Sequence, residues 1–391
     1  MWPDLSYILH DLFGTTPDNA FSIIKTFGLF LALAFIGSAY TLYLEFRRKE
    51  REGVLTSTKV TFIEGAPATI FELISNAIFG FILGFKLLYI IQHFGEFKAN
   101  AASVILSGTG SWVGGFIGLA LGVFLKYWEK KKVERAEPII REMEVFPSER
   151  VGDITIVAAI SGLIGARLFS IFESVAAINS FIADPFGQLF SGSGLAIYGG
   201  LIVAFFVVYY YIKFVLKITP IQVMDAAAPA LLIGYAIGRL GCHFSGDGDW
   251  GIVNAMPVPS WFILPDWLWS YDYPHNVNHD GIEIVGCEWL YCQKLAAPVF
   301  PTPLYETTFS LMIFALLWSL RKKLKTPGLL FFIYVTLNGV ERFFIEKIRV
   351  NDKISFAGIN ATQAEIIATL LIIIGIIGTY YLVRKGKKSL A

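Results

Sequence analysis

The chain has 391 residues, of which 55% are hydrophobic and 16% charged, with 32 Lys+Arg against 31 Asp+Glu and a formal net charge of +1. Its mean hydropathy is +0.60, and a soluble domain carries about 25% charge, so this much apolar surface cannot be hidden in one soluble globule. That excludes a soluble enzyme and a disordered chain, and the missing basic excess excludes a nucleic-acid binder. What remains is an all-α, polytopic membrane helix bundle, expected as a single domain over 1–391.

The first residues, MWPDLSYILHDLFG, lack a basic n-region and a small-residue cleavage site, and do not read as a cleaved signal peptide. A spanning helix needs about 20 mainly apolar residues. In chain order, nine stretches qualify: 22–45, 68–92, 104–127, 153–174, 195–216, 222–243, 303–320, 328–346 and 362–384. Glycine and charged residues interrupt the third and eighth. Basic clusters follow the first span (Arg47–Arg51), the third (Lys126–Arg135), the fifth (Lys213, Lys217), the seventh (RKKLK) and the ninth (RKGKK). The positive-inside rule then places the N-terminus outside and the C-terminus in the cytoplasm.

The second and third spans resemble the fourth and fifth. AIFGFILGFKLLYI (Ala77–Ile90) aligns with AAISGLIGARLFSI (Ala158–Ile171), so that Gly84 meets Gly165 and Lys86 meets Arg167. SGTGSWVGG (Ser107–Gly115) resembles SGSGLAIYGG (Ser191–Gly200) with one residue inserted. The segment 68–127 therefore reads as an inserted helix pair resembling 153–216, in the same orientation rather than inverted. Tyr198 of the second copy stands opposite Val113 of the first.

On the outer side, 248–300 forms a long loop rich in Trp, Tyr, Pro and Asp, the composition of a cap at the membrane–water boundary. Of the three cysteines, Cys287 and Cys292 either pair in an oxidising compartment or stay as two thiols. No Cys/His spacing resembles a zinc site, and neither a metal nor another cofactor is expected.

Ionisable side chains at membrane depth cost about 2.5–3.5 kcal/mol each on insertion scales, so they are candidates for function. Lys86, Arg167, Asp225, Arg239, Glu306, Arg342 and Glu346 lie in or beside the spans. Three stretches stand out. In GYAIGRLGCHFSGDGDWG (Gly234–Gly251) a helix ends in a glycine-rich turn carrying Arg239, His243, Asp247 and Asp249; it reads either as an anion-holding turn or as a solvated helix end. In FPTPLYETTF (Phe300–Phe309), Tyr305 and Glu306 fall in the first turn of a helix, where Glu306 also suits a simple cap. In NGVERFFIEKIRVND (Asn338–Asp352), Arg342, Glu346 and Arg349 align on one face, as an ion-pair ladder or, with Lys347 counted, as a cation excess that invites an anion such as a phosphodiester.

In this order, these stretches resemble the bacterial prolipoprotein diacylglyceryl transferases. Gly238-Arg239-Leu240-Gly241-Cys242-His243-Phe244-Ser245-Gly246-Asp247 is similar to the family's Gly-Arg signature. Asp225–Ala230, Pro301–Glu306, Arg342–Asp352, Gly165–Leu168 and Tyr198–Ile202 resemble its other elements. There are departures. The family histidine before Gly-Gly is Tyr198, a family tyrosine is Phe27, and an asparagine is Ser245. The acid of the signature is Asp247, and one residue is inserted before Trp250. A second histidine is Phe300, and a proline is Asn351. The family has seven spans, and the repeat accounts for nine.

The resemblance implies transfer of a diacylglyceryl group from phosphatidylglycerol to the cysteine thiol of prolipoprotein signal peptides, in the bacterial cytoplasmic (inner) membrane. It implies catalytic roles for Tyr198, Arg239, Arg342 and Glu306. Substrate contacts are implied for Arg167, Gly199, Gly200, His243, Ser245, Gly246, Asp247, Tyr305, Glu346 and Arg349. Arg239 and Arg342 are expected to hold the phosphate, while Tyr198, His243 and Asp247 compete for the role of base. The substitutions also admit a non-catalytic phospholipid-binding paralogue, and the repeat with its intramembrane charges admits a small-molecule transporter.

Overall fold

The computed structural model describes all residues except 100–103, 106, 136–137, 173–174, 186–187, 189–195, 351–352, 357–358 and 389–391. Part of the second glycine-rich stretch (191–195), together with Asn351 and Asp352, thus lies outside the described residues. In chain order the principal elements are α1 (Leu5–Phe13), α2 (Thr26–Arg51), β1 (Thr58–Glu64), α3 (Ile70–Gln92), α4 (Trp112–Val133), β2 (Ile139–Val145), α5 (Val151–Ile171), α6 (Ile197–Tyr210), α7 (Pro220–Ser245), α8 (Thr302–Leu320), α9 (Leu329–Glu346) and α10 (Gln363–Lys388).

Each expected span falls on one of α2–α10. Among the described residues, six helices are long and apolar enough to cross a membrane: Thr26–Arg51, Ile70–Gln92, Pro147–Ile171, Pro220–Ser245, Thr302–Leu320 and Gln363–Lys385. The apolar helix Gly199–Val215 is shorter. Glycines and a Lys-rich end dilute α4, and Glu341, Arg342 and Glu346 interrupt α9. The chain divides into two compact units, Met1–Leu55 with Ile218–Ala391, and Thr56–Lys217. The segment Thr56–Lys217 packs largely within itself.

The first unit is organised by α7, which packs against α2, α8 and α9, while α9 also packs on α10. The buried face of α7 is rich in small residues, including Ala226, Ala228, Ala230 and Ala236. Lipid gives helices no hydrophobic reason to associate, so close backbone approach and interhelical hydrogen bonds must do it. Ser38 Oγ accordingly donates to the Ala230 carbonyl at 2.9 Å. Asp225 accepts from the Gly328 and Phe331 amides at 2.7 and 3.0 Å, satisfying the start of α9 from a neighbouring helix. Gly246, at φ +64°, ends α7.

The expected cap, 248–300, joins the rest of this unit through a bridge from Gly251 to Arg349, and bridges from Val253 and Tyr271 to Val299 tie it internally. Buried Asn276 ties its interior, donating to the Asp280 carbonyl at 3.0 Å and accepting from the Asp280 amide at 2.9 Å. Cys287 and Cys292 form a disulfide, which decides between the two readings of that pair.

In the second unit, β1 and β2 pair antiparallel from Thr58↔Val145 to Glu64↔Ile139 and bracket α3 and α4. A Cβ on Gly84 would strike the Gly114 carbonyl oxygen, and one on Gly165 would strike that of Gly199. Ser111 N donates to Phe85 O at 2.9 Å, and Ala196 N donates to Ala166 O at 3.0 Å. These are matching positions in the two aligned segments.

Candidate functional site

Four pieces of the first unit converge: the end of α7, the turn after it, the first turns of α8, and the end of α9 with the residues that follow. Their meeting point is Glu306, whose side chain is fully buried. Its Oε1 accepts from Arg342 Nη1 at 2.8 Å and from the Tyr235 hydroxyl at 3.1 Å. Arg349 Nη1 lies 3.5 Å from the same oxygen. Arg239 pairs with Glu306 Oε2 through one guanidinium nitrogen and with Asp249 Oδ2 through the other. Asp249 Oδ1 accepts from Arg349 Nη2 at 2.6 Å, and Arg342 Nη2 lies 3.2 Å from Glu346 Oε2. Thr362 Oγ1 donates to Glu346 Oε1 at 2.8 Å.

Three planar forks are thus aimed by three carboxylates, an arrangement that lysine's single ammonium would not reproduce. Arg239 and Arg342 face one place, since they share one carboxylate. Glu306 is therefore more than a helix cap. The cation excess expected in 338–352 does not persist: Lys347 pairs with Glu365 at 2.5 Å, and Arg349 turns to Asp249. Arg239, Arg342 and Arg349 are matched by Glu306, Asp249 and Glu346.

The acid of the glycine-rich turn that holds these arginines is Asp249, where the sequence pointed to Asp247. Burial pushes the Asp249 carboxyl up, but Arg239 and Arg349 outweigh it and hold it down at about 2. Asp247 is pushed above its ordinary range by burial and then by the charge of Asp249. Its Oδ1 accepts from the Asp249 amide at 3.2 Å, which shapes the turn. The inserted residue before Trp250 was the one signal that the acid had moved. Two further residues were not among the expected site residues. Tyr235 donates to Glu306, and Glu341 is buried with both carboxylate oxygens lacking a hydrogen-bond donor among the described residues.

The remaining candidates make other contacts. His243 is buried among Phe244, Trp267, Tyr271 and Tyr273, with Nδ1 3.2 Å from the Tyr273 hydroxyl. Ser245 Oγ donates to the Cys242 carbonyl at 3.3 Å. A Cβ on Gly246 would press on Asn276. Tyr305 donates to the Leu268 carbonyl at 2.8 Å, anchoring the cap to α8. In the second unit, Arg167 is buried on α5. Gly199 and Gly200 pack against Phe169 and Gly162, so helix contact accounts for both. Tyr198 sits at the start of α6, and its side chain lies outside the described residues. Cys242, Asp247 and Asp249 bring possible ligand atoms within 4.8 Å of one another. Two arginines already engage Asp249, however, and that donor set does not suit a cation.

Residues 133–381 match the family described as prolipoprotein diacylglyceryl transferase. A phosphatidylglycerol–prolipoprotein diacylglyceryl transferase of Clostridium botulinum (strain Hall) is 30% identical over 279 residues, covering 71% of this chain and 94% of that protein. A protein of the same name from Dehalococcoides mccartyi is 29% identical over 281 residues, covering 71% and 91%. Another, from Leptospira interrogans, is 30% identical over 216 residues, covering 48% and 58%.

Proposed function

The chain belongs to the prolipoprotein diacylglyceryl transferase family, and from that premise we propose how its residues divide the work. It is a multi-pass membrane transferase that moves the diacylglyceryl group of phosphatidylglycerol to a prolipoprotein. In our reading the acceptor is the cysteine thiol of the signal peptide. The sulfur attacks the sp³ carbon that carries the phosphate ester, forming a thioether. The C–O bond breaks, its electron pair leaves on the phosphate oxygen, and glycerol phosphate departs. The thiol proton goes to a base. A thiol titrates near 8.5, so a modest base suffices.

The observation that carries this reading is the convergence of Arg239 and Arg342 on one buried carboxylate, with Arg349 beside them. Preorganised guanidiniums stabilise charge that develops on a leaving phosphate, and they need no reorganisation during the reaction. Glu306 and Glu346 aim the forks. The thiol proton passes through a hydrogen bond with Tyr198, which stands where the family resemblance implies a histidine. Tyr198→Phe is expected to lower lipidation of a test prolipoprotein, and unchanged lipidation would remove Tyr198 from the scheme.

The membrane is the bacterial cytoplasmic membrane, crossed nine times with the N-terminus outside. The alternating basic clusters and the helix at each expected span support this topology. We read α3–α4 as a copy of α5–α6, a reading supported by the matching glycine contacts and the matching Ser111 and Ala196 hydrogen bonds. The deciding experiment is mass spectrometry of a signal peptide incubated with the purified protein and phosphatidylglycerol. A mass increase of one diacylglyceryl group on cysteine is expected; its absence in active membranes and detergent alike overturns the reading.

A further inference from the structure

Each of the three carboxylates on the arginines is held differently. Glu306 and Glu346 sit on helices, their side chains wholly buried, and each accepts a further hydroxyl, from Tyr235 and Thr362. Asp249 lies on the turn after α7, and its side chain is 32% exposed. It places one oxygen on Arg239 and the other on Arg349. Two oxygens of one anion shared between two guanidiniums is also how a phosphodiester is gripped. The Asp249 backbone is anchored independently, because its carbonyl accepts from Thr302 Oγ1 at 2.9 Å and its amide donates to Asp247 at 3.2 Å. Rotation of this side chain toward water would therefore free the carboxylate without loss of the turn.

We propose that Asp249 occupies the place of the substrate's phosphate on Arg239 and Arg349, that lipid binding displaces it, and that its return expels the glycerol phosphate product. The inference rests on the reading that these arginines hold phosphate. Exchange of one carboxylate for one phosphodiester keeps the local charge unchanged. The product differs, since a phosphate monoester carries close to two charges above its second pKa of about 6. Such a product grips two guanidiniums more tightly than the substrate does. A tethered competitor offsets that grip, and Asp249 thereby sets both lipid affinity and the rate of product release.

The test compares Asp249→Asn with the wild-type full-length chain in detergent. Asparagine keeps the shape but removes the competing charge. Inhibition by glycerol phosphate and by inorganic phosphate is expected to tighten about tenfold, the weight of one charge-assisted hydrogen bond. The KM for phosphatidylglycerol falls, and kcat falls as release slows. A residue that merely positions the arginines gives the opposite: KM rises and both anions inhibit less. That result, or unchanged anion affinity, overturns the proposal. Asp249→Ser gives the same readings where the asparagine variant is poorly produced. The thermal shift induced by glycerol phosphate reads affinity without turnover, so it decides the role of Asp249 separately from wild-type transfer, which tests the underlying reading.

Discussion

Glu306 shows how one side chain organises a site. Three arginines approach a single buried carboxylate, and neutralising it leaves them facing one another. Removing one partner of a buried ion pair costs about 3–5 kcal/mol. Glu306→Gln is therefore expected to lower the melting temperature in detergent and to cut transfer at least a hundredfold, measured by the peptide assay. An active, equally stable variant would contradict the central role of this carboxylate. The sequence made Arg239, Glu306, Arg342, Glu346 and Arg349 legible, because charges are expensive in an apolar helix and their spacing fixes a face. It did not separate Asp247 from Asp249. Two acids two residues apart in a glycine-rich turn look alike until the turn's own hydrogen bonds direct one inward and leave the other to shape the loop. Tyr235 was hidden for another reason: what it faces belongs to a neighbouring helix.

Among the elements, α9 depends on a residue outside itself. Its first amides are satisfied by Asp225 of α7, and losing a side-chain cap of this kind costs about 1 kcal/mol. Asp225→Ala is expected to lower thermal stability by a few degrees while leaving the KM for phosphatidylglycerol within twofold, since α9 carries its arginine at the opposite end. A large rise in KM would show instead that the start of α9 communicates with the site. Hydropathy located every long helix to within a turn or two, because length and apolarity are local properties. It was weaker at α4 and α9, where glycine and charge interrupt the apolar run. Nothing local announced β1 and β2, since strand pairing across the intervening helices is set by a partner far away in sequence.

For the molecule as a whole, the disulfide offers a check on sidedness. Cys287 and Cys292 are paired, and Cys242 is a buried thiol. In membranes isolated under alkylating conditions, a thiol reagent is expected to label neither Cys287 nor Cys292 until a reductant is added. Labelling before reduction would place the cap in a reducing compartment and reverse the topology. The division into two compact units was not legible from composition.

The ladder between β1 and β2 has one more consequence. Its last partners, Glu64 and Ile139, stand side by side, so the whole stretch from 65 to 138 leaves and rejoins the chain at a single doorway. An Asn-Gly join there would turn the two strands into an ordinary hairpin. A shortened protein made in this way would keep every arginine and carboxylate of the cluster. Additions at such a doorway are spared the usual requirement to re-register the rest of the fold.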